Sequence, residues 1–81
     1  MRSKTKLQAA RRRAGVTLEQ LAEKTRLHYA TVREADVGAR PPLLSTRLRI
    51  SAALGDTDFS LWPEDSRREL RHVKAMMQAM K

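Results

Sequence analysis

Val16 to Gly38 reads V-T-L-E-Q-L-A-E-K-T-R-L-H-Y-A-T-V-R-E-A-D-V-G, two short helices joined by a tight turn. Thr17 is followed three residues later by Gln20, the spacing of a capping box that starts a helix and bonds its first free amides. Leu18, Leu21 and Ala22 then fall on one face at the i, i+3, i+4 spacing of an amphipathic helix. A second apolar set, Leu27, Val32 and Ala35, belongs to the next helix. Gly38 follows, with Pro41 and Pro42 close behind, and glycine then proline is how helices stop.

Outward from this pair the pattern stays helical. A first helix is predicted over about Lys4 to Ala14, stopped by Gly15. The second covers Leu18 to Lys24 and the third Tyr29 to Val37. Residues 38–42 cannot be helical, because each proline lacks an amide donor and restricts its predecessor. A fourth helix runs from Leu44 to Leu54 and stops at Gly55. Asp56 or Asp58 is placed to cap a short fifth helix carrying Phe59, Leu61 and Trp62. Pro63 with Glu64 and Asp65 suits the first turn of a last helix reaching towards Met80. No repeat and no strand pattern is visible. The chain therefore reads as all-α, a compact five-helix domain over 1–62 with a C-terminal helix over 63–81.

Composition narrows the function. At 81 residues the chain is one small domain whose core is marginal without a partner or very tidy helix packing. No run approaches the ~20 apolar residues of a membrane span. The basic start lacks the uninterrupted apolar stretch of a secretory signal, so no such signal is expected. With no cysteine, two histidines (His28 and His72) and no glycine-rich phosphate loop, no enzyme, cofactor or metal site is expected. Charge carries the positive signal: 17 Lys and Arg against 9 Asp and Glu leave +8. Arg2, Lys4, Lys6, Arg11, Arg12 and Arg13 all precede the first acid, Glu19. Such a pole attracts phosphate, although basic tails also attract anionic lipids and acidic proteins.

Taken as a series, these residues resemble the lambda-repressor/Cro-type helix-turn-helix family, without gaps from about Leu7 to Trp62. The family's places are held by Leu7, Arg11, Gly15, Val16, Thr17, Leu21, Ala22, Leu27, Val32, Asp36, Gly38, Pro42, Leu44, Thr46, Ile50, Ala53, Leu54 and Gly55. Leu18 stands where the family usually has glutamine, Arg26 where its turn has glycine, His28 where a serine or threonine caps the third helix, and Arg47 where a core leucine is common. The resemblance implies a five-helix lambda-repressor-like fold whose third helix enters the major groove. The cytoplasmic location expected for this chain also rests mainly on the resemblance.

Geometry then distributes the roles. In a groove-docked helix only the first residues and one exposed face reach base edges. Val32 and Ala35 face the core, which leaves Tyr29, Ala30, Thr31, Arg33 and Glu34 outward, the set the resemblance also implies. Arg33 suits guanine O6 and N7, or a phosphate; Glu34 suits cytosine N4; Ala30 and the Thr31 methyl suit a thymine methyl. Phosphate contacts are expected at the amide end of the second helix, near Thr17 and Leu18. By the resemblance Arg40 is a further backbone contact. Arg12 or Arg13 is assigned to DNA, and the tail with Arg2, Lys4 and Lys6 follows the backbone or enters the minor groove. By the resemblance Arg11 forms a structural ion pair with Asp36.

Leu70, Val73, Met77 and Met80 recur at 3-4-3 spacing, the seam of a short coiled coil or of a helix laid on the domain. With Phe59 and Leu61 they are the candidate dimer surface. The expected function is that of a sequence-specific DNA-binding transcriptional regulator, a weak homodimer acting by occupancy of an operator. Two alternatives share these features: the antitoxin of a toxin–antitoxin pair, and a protein-interaction adaptor whose basic face meets an acidic partner. A toxin or a polymerase is the corresponding protein partner. No membrane association is expected.

Overall fold

Four helices end in the same way, and those endings set the architecture. In the computed structural model, which describes residues 5–80, α1 spans Lys6–Arg13, α2 Leu18–Thr25, α3 Tyr29–Val37, α4 Leu44–Leu54 and α5 Glu64–Ala79. At the C-termini of α1 to α4 an amide reaches back five residues. These bonds are Val16 N to Arg11 O (3.1 Å), Leu27 N to Ala22 O (3.1 Å), Ala39 N to Glu34 O (3.0 Å) and Asp56 N to Ser51 O (2.8 Å). Such closures need a left-handed residue, supplied by glycine in three cases and by Arg26 (φ 58°, ψ 35°) in the fourth. At Gly38 a side chain would be doubly penalised, since φ is +75° and an added Cβ would lie 3.1 Å from the Thr5 methyl.

The N-termini are less uniform. Thr17 and Gln20 form the full capping box, Gln20 N donating to Thr17 Oγ1 at 3.1 Å and Thr17 N to Gln20 Oε1 at 2.9 Å. Thr5 caps α1 by accepting from Gln8 N at 2.9 Å. The first helix is thus shorter at both ends than predicted, and Arg2 and the phosphate candidate Lys4 lie outside the described residues. His28 makes no side-chain cap bond to α3.

One expected element does not form. The segment carrying Phe59, Leu61 and Trp62 is a series of turns, so the described residues contain five helices, without strands, where six were expected. The Asp56 carboxylate holds these turns together. It accepts from Ser60 Oγ (2.8 Å), Ser60 N (3.0 Å) and Leu61 N (3.1 Å), offering the backbone a local alternative to a helix. Phe59 is held at φ +59° inside this loop. Ser51 Oγ donates to Asp56 (3.3 Å) and accepts from Trp62 Nε1 (2.7 Å), which ties the loop to α4.

The loop's aromatic residues complete the core. Leu7, Leu21, Val32, Ala35, Ile50, Phe59, Trp62 and Leu70 are buried together. Each large side chain so placed contributes about 1.5–3 kcal/mol of transfer free energy. In the resulting globule α2 packs on α3 and α4, α1 on α3, and α5 on α4. No helix among the described residues is long and apolar enough to cross a membrane.

Burial corrects the expected dimer surface. Phe59 and Leu70 are inside the protomer, at 4% and 0% exposure, and so cannot line a seam between copies. Leu61 and Val73 are half-buried, Leu61 against the same core. Of the expected dimer surface only Met77 (56%) and Met80 (84%) are largely exposed, beside the exposed Met76. The 3-4-3 spacing spans two environments because Leu70 is the last residue of α5 in the core.

Candidate nucleic-acid interface

The turn between α2 and α3 is three residues, Arg26, Leu27 and His28. Leu27 packs against the core while Arg26 and His28 are exposed. The α3 that follows is fixed by its inner face, where Val32, Ala35 and Asp36 are buried. Its other face carries Tyr29, Ala30, Arg33 and Glu34, all exposed, with Thr31 half-buried at the edge. The periodicity that buries Val32 and Ala35 therefore leaves every candidate base-reading residue at or near the surface.

Asp36 anchors the end of this helix. Its carboxylate is 1% exposed and is fully engaged: Arg11 Nε donates to Oδ1 at 2.7 Å, Arg11 Nη2 to Oδ2 at 3.2 Å, and Gln8 Nε2 to Oδ2 at 3.0 Å. The third arm of the same guanidinium, Nη1, donates to Val16 O at 2.8 Å. The hydrogen bond to Asp36 holds the Arg11 pKa above its ordinary value despite the cost of burial. Arg11 is thus occupied by α3 and by the chain entering α2, and it is not available to a phosphate. Thr5 Oγ1 adds a donor to Asp36 O at 2.8 Å. Neither Thr5 nor Gln8 stood out in the sequence, although T-x-x-Q recurs there as at Thr17 and Gln20.

The phosphate candidates divide into two groups. Arg40 lines one surface depression with Thr31 and Glu34, and a second one with Lys6 and Ala35. These depressions join the loop after α3 and the start of α1 to the outer edge of α3. Arg12 and Arg13 are exposed on the last turn of α1 and line neither depression. None of Lys6, Arg12, Arg13, Arg33 and Arg40 has an ion-pair partner among the described residues, so their charges are uncompensated. At the amide end of α2 the capping box consumes the Thr17 and Gln20 amides, leaving those of Leu18 and Glu19 as the first-turn donors outside it. The Leu18 side chain packs on the core. Leu43, 75% exposed beside Arg40 in the first depression, is a further surface residue that no sequence signal marked.

Comparison with known proteins finds no matching family model, no matching curated protein and no matching solved structure.

Proposed function

We propose that this chain is a sequence-specific DNA-binding regulator of the lambda-repressor/Cro type, acting in the cytoplasm by occupying an operator. The carrying observation is the two-sided construction of α3. Its inner face is locked by Val32, Ala35 and the Asp36–Arg11 pair, and its outer face presents Tyr29, Ala30, Arg33 and Glu34 after a three-residue turn from α2. A helix held that firmly, on a protein of net charge +8, has the rigidity and the field needed to read base edges.

In this reading α3 lies in the major groove. Arg33 reads guanine or grips a phosphate, and Arg40 and Lys6 hold the backbone at its edge. Arg12 or Arg13 supplies a further phosphate contact. One such module buries too small an interface for strong selectivity, so two copies bind half-sites about one helical turn, ~34 Å, apart. The exposed methionines at the end of α5 are the apolar surface through which a second copy docks.

Selection of bound sites from random duplex DNA, followed by salt titration on the selected site, tests the proposal. A pseudo-palindromic consensus is expected, with affinity falling steeply as salt rises. Failure to enrich any sequence, together with equal weak binding to all duplexes, would remove the regulator reading.

A further inference from the structure

Between the start of α1, the α3–α4 loop and the turn before α5 lies a cleft of about 440 Å³. Trp62, Leu61 and Pro42 supply its apolar lining, and Lys6, Arg40 and Arg47 bring three cations to it. No acidic residue among the described residues lines it.

Arg47 is the informative member. Three arginines among the described residues are half-buried: Arg11, Arg47 and Arg67. Arg11 faces Asp36 and Arg67 faces Glu64. Arg47 faces only neutral groups, donating through Nη1 to Ser66 Oγ and lying 5.9 Å from the centroid of the Trp62 ring. Its Nε is buried without a hydrogen-bond partner. A cation drawn partly out of water with no counter-charge is costly, and an anion brought beside it relieves that cost. Inorganic anions gain nothing from the tryptophan, leucine and proline surfaces, whereas an apolar body does.

We propose that this cleft binds a small organic anion, a carboxylate carried on a ring-sized apolar body. The ring lies against Trp62, Leu61 and Pro42, and the carboxylate meets the Arg47, Arg40 and Lys6 charges. Since Arg40 also borders the depression with Thr31 and Glu34, an occupied cleft competes for charge with the face assigned to DNA. That consequence rests on the DNA-binding reading; the binding itself does not.

Trp62 is the sole tryptophan, so its emission reports the cleft directly, without DNA. The intact chain is titrated with cyclohexanecarboxylate, with cyclohexylmethanol as the uncharged control and inorganic phosphate as the charge-only control. The carboxylate should give a saturable change with a Kd about tenfold below that of either control, the difference expected for a charge-assisted contact. Arg47→Met should weaken carboxylate binding by a similar factor while circular dichroism stays helical. If that variant does not fold, Arg40→Gln, at an exposed position, should weaken binding about threefold. Absence of saturation overturns the proposal, as does equal affinity for the alcohol, which makes the cleft merely greasy. Equal affinity for phosphate, which makes it a backbone-phosphate contact, or unchanged affinity in a folded variant, also overturns it.

Discussion

Arg11 and Asp36 meet side-on across 25 residues of chain, Nε to Oδ1 at 2.7 Å and Nη2 to Oδ2 at 3.2 Å. Because Asp36 is almost fully buried, the pair does more than a surface bridge: it positions the end of α3 against α1 and against the strand of chain entering α2. Asp36→Ala should cost about 3–5 kcal/mol, since it strands a partly buried guanidinium. Arg11→Ala should cost a comparable amount. The double variant should be less destabilised than the sum of the two, and a thermodynamic cycle from urea melts checks this. Strict additivity would show that the two residues act independently.

Arg33 should separate base reading from backbone attraction. Arg33→Ala is expected to weaken binding to the selected site by about 1–3 kcal/mol and to broaden the preference at one position. Its own stability should be unchanged, because the side chain is exposed. Parallel titrations on selected and random duplexes are the measurement. Equal losses on both would make Arg33 a phosphate contact only.

Within the apparent seam of α5, Leu70 and Met80 should behave oppositely. Leu70→Ala removes a fully buried side chain and should cost about 2–5 kcal/mol in the protomer. Met80→Ser should change thermal stability by less than about 0.5 kcal/mol. Sedimentation on the selected operator should then show the Met77→Ser, Met80→Ser double variant forming fewer two-copy complexes. Undiminished pairing by that variant would move the dimer contact elsewhere.

Asp56 should make the 55–61 loop sensitive to acid. Burial raises its pKa, but hydrogen bonds from the Ser60 hydroxyl and from the Leu61 and Ser60 amides outweigh this and hold it below the ordinary 3.8. A carboxylate with a depressed folded pKa contributes stability that is present above its unfolded pKa and lost as pH falls through the folded one. Wild-type stability should therefore drop below about pH 4, in part through this group. In Asp56→Asn that part of the slope should vanish, while stability at neutral pH is lower. Matching pH profiles for the two proteins would assign the acid sensitivity to other carboxylates.

Arg26 sits where the backbone is left-handed, an arrangement that costs an ordinary residue roughly 1–2 kcal/mol. Glycine relieves that strain but makes the unfolded chain more flexible, at a cost of about 0.4–1 kcal/mol. Arg26→Gly should consequently stabilise the fold by about 0.5–1 kcal/mol. A fall in the melting temperature would show that the arginine side chain contributes contacts that outweigh the strain.

Short-range chemistry made much of this architecture readable from the chain alone. The α3 and α4 boundaries follow the local signals residue for residue, and α2 runs one residue longer than they suggest, because a capping box, a left-handed closure and a proline act within four or five residues. The same reasoning separated the inner residues Val32 and Ala35 from the outer Arg33 and Glu34, since helical period alone divides them. Long-range competition settled the rest. Nothing near Asp56 says whether its carboxylate will start a helix or fold the chain back; the Ser51 hydroxyl and the burial of Phe59 and Trp62 select the turn. Leu70 and Met77 share one periodic face, yet only Leu70 is covered, because the depth of a core is set by which elements reach it. Arg47 looked like a misplaced core residue until Trp62 and Ser66, distant in sequence, surrounded its charge. Hydrogen bonds and dihedral preferences act over one turn and are written in the sequence, whereas burial and charge compensation depend on neighbours that only the folded chain assembles.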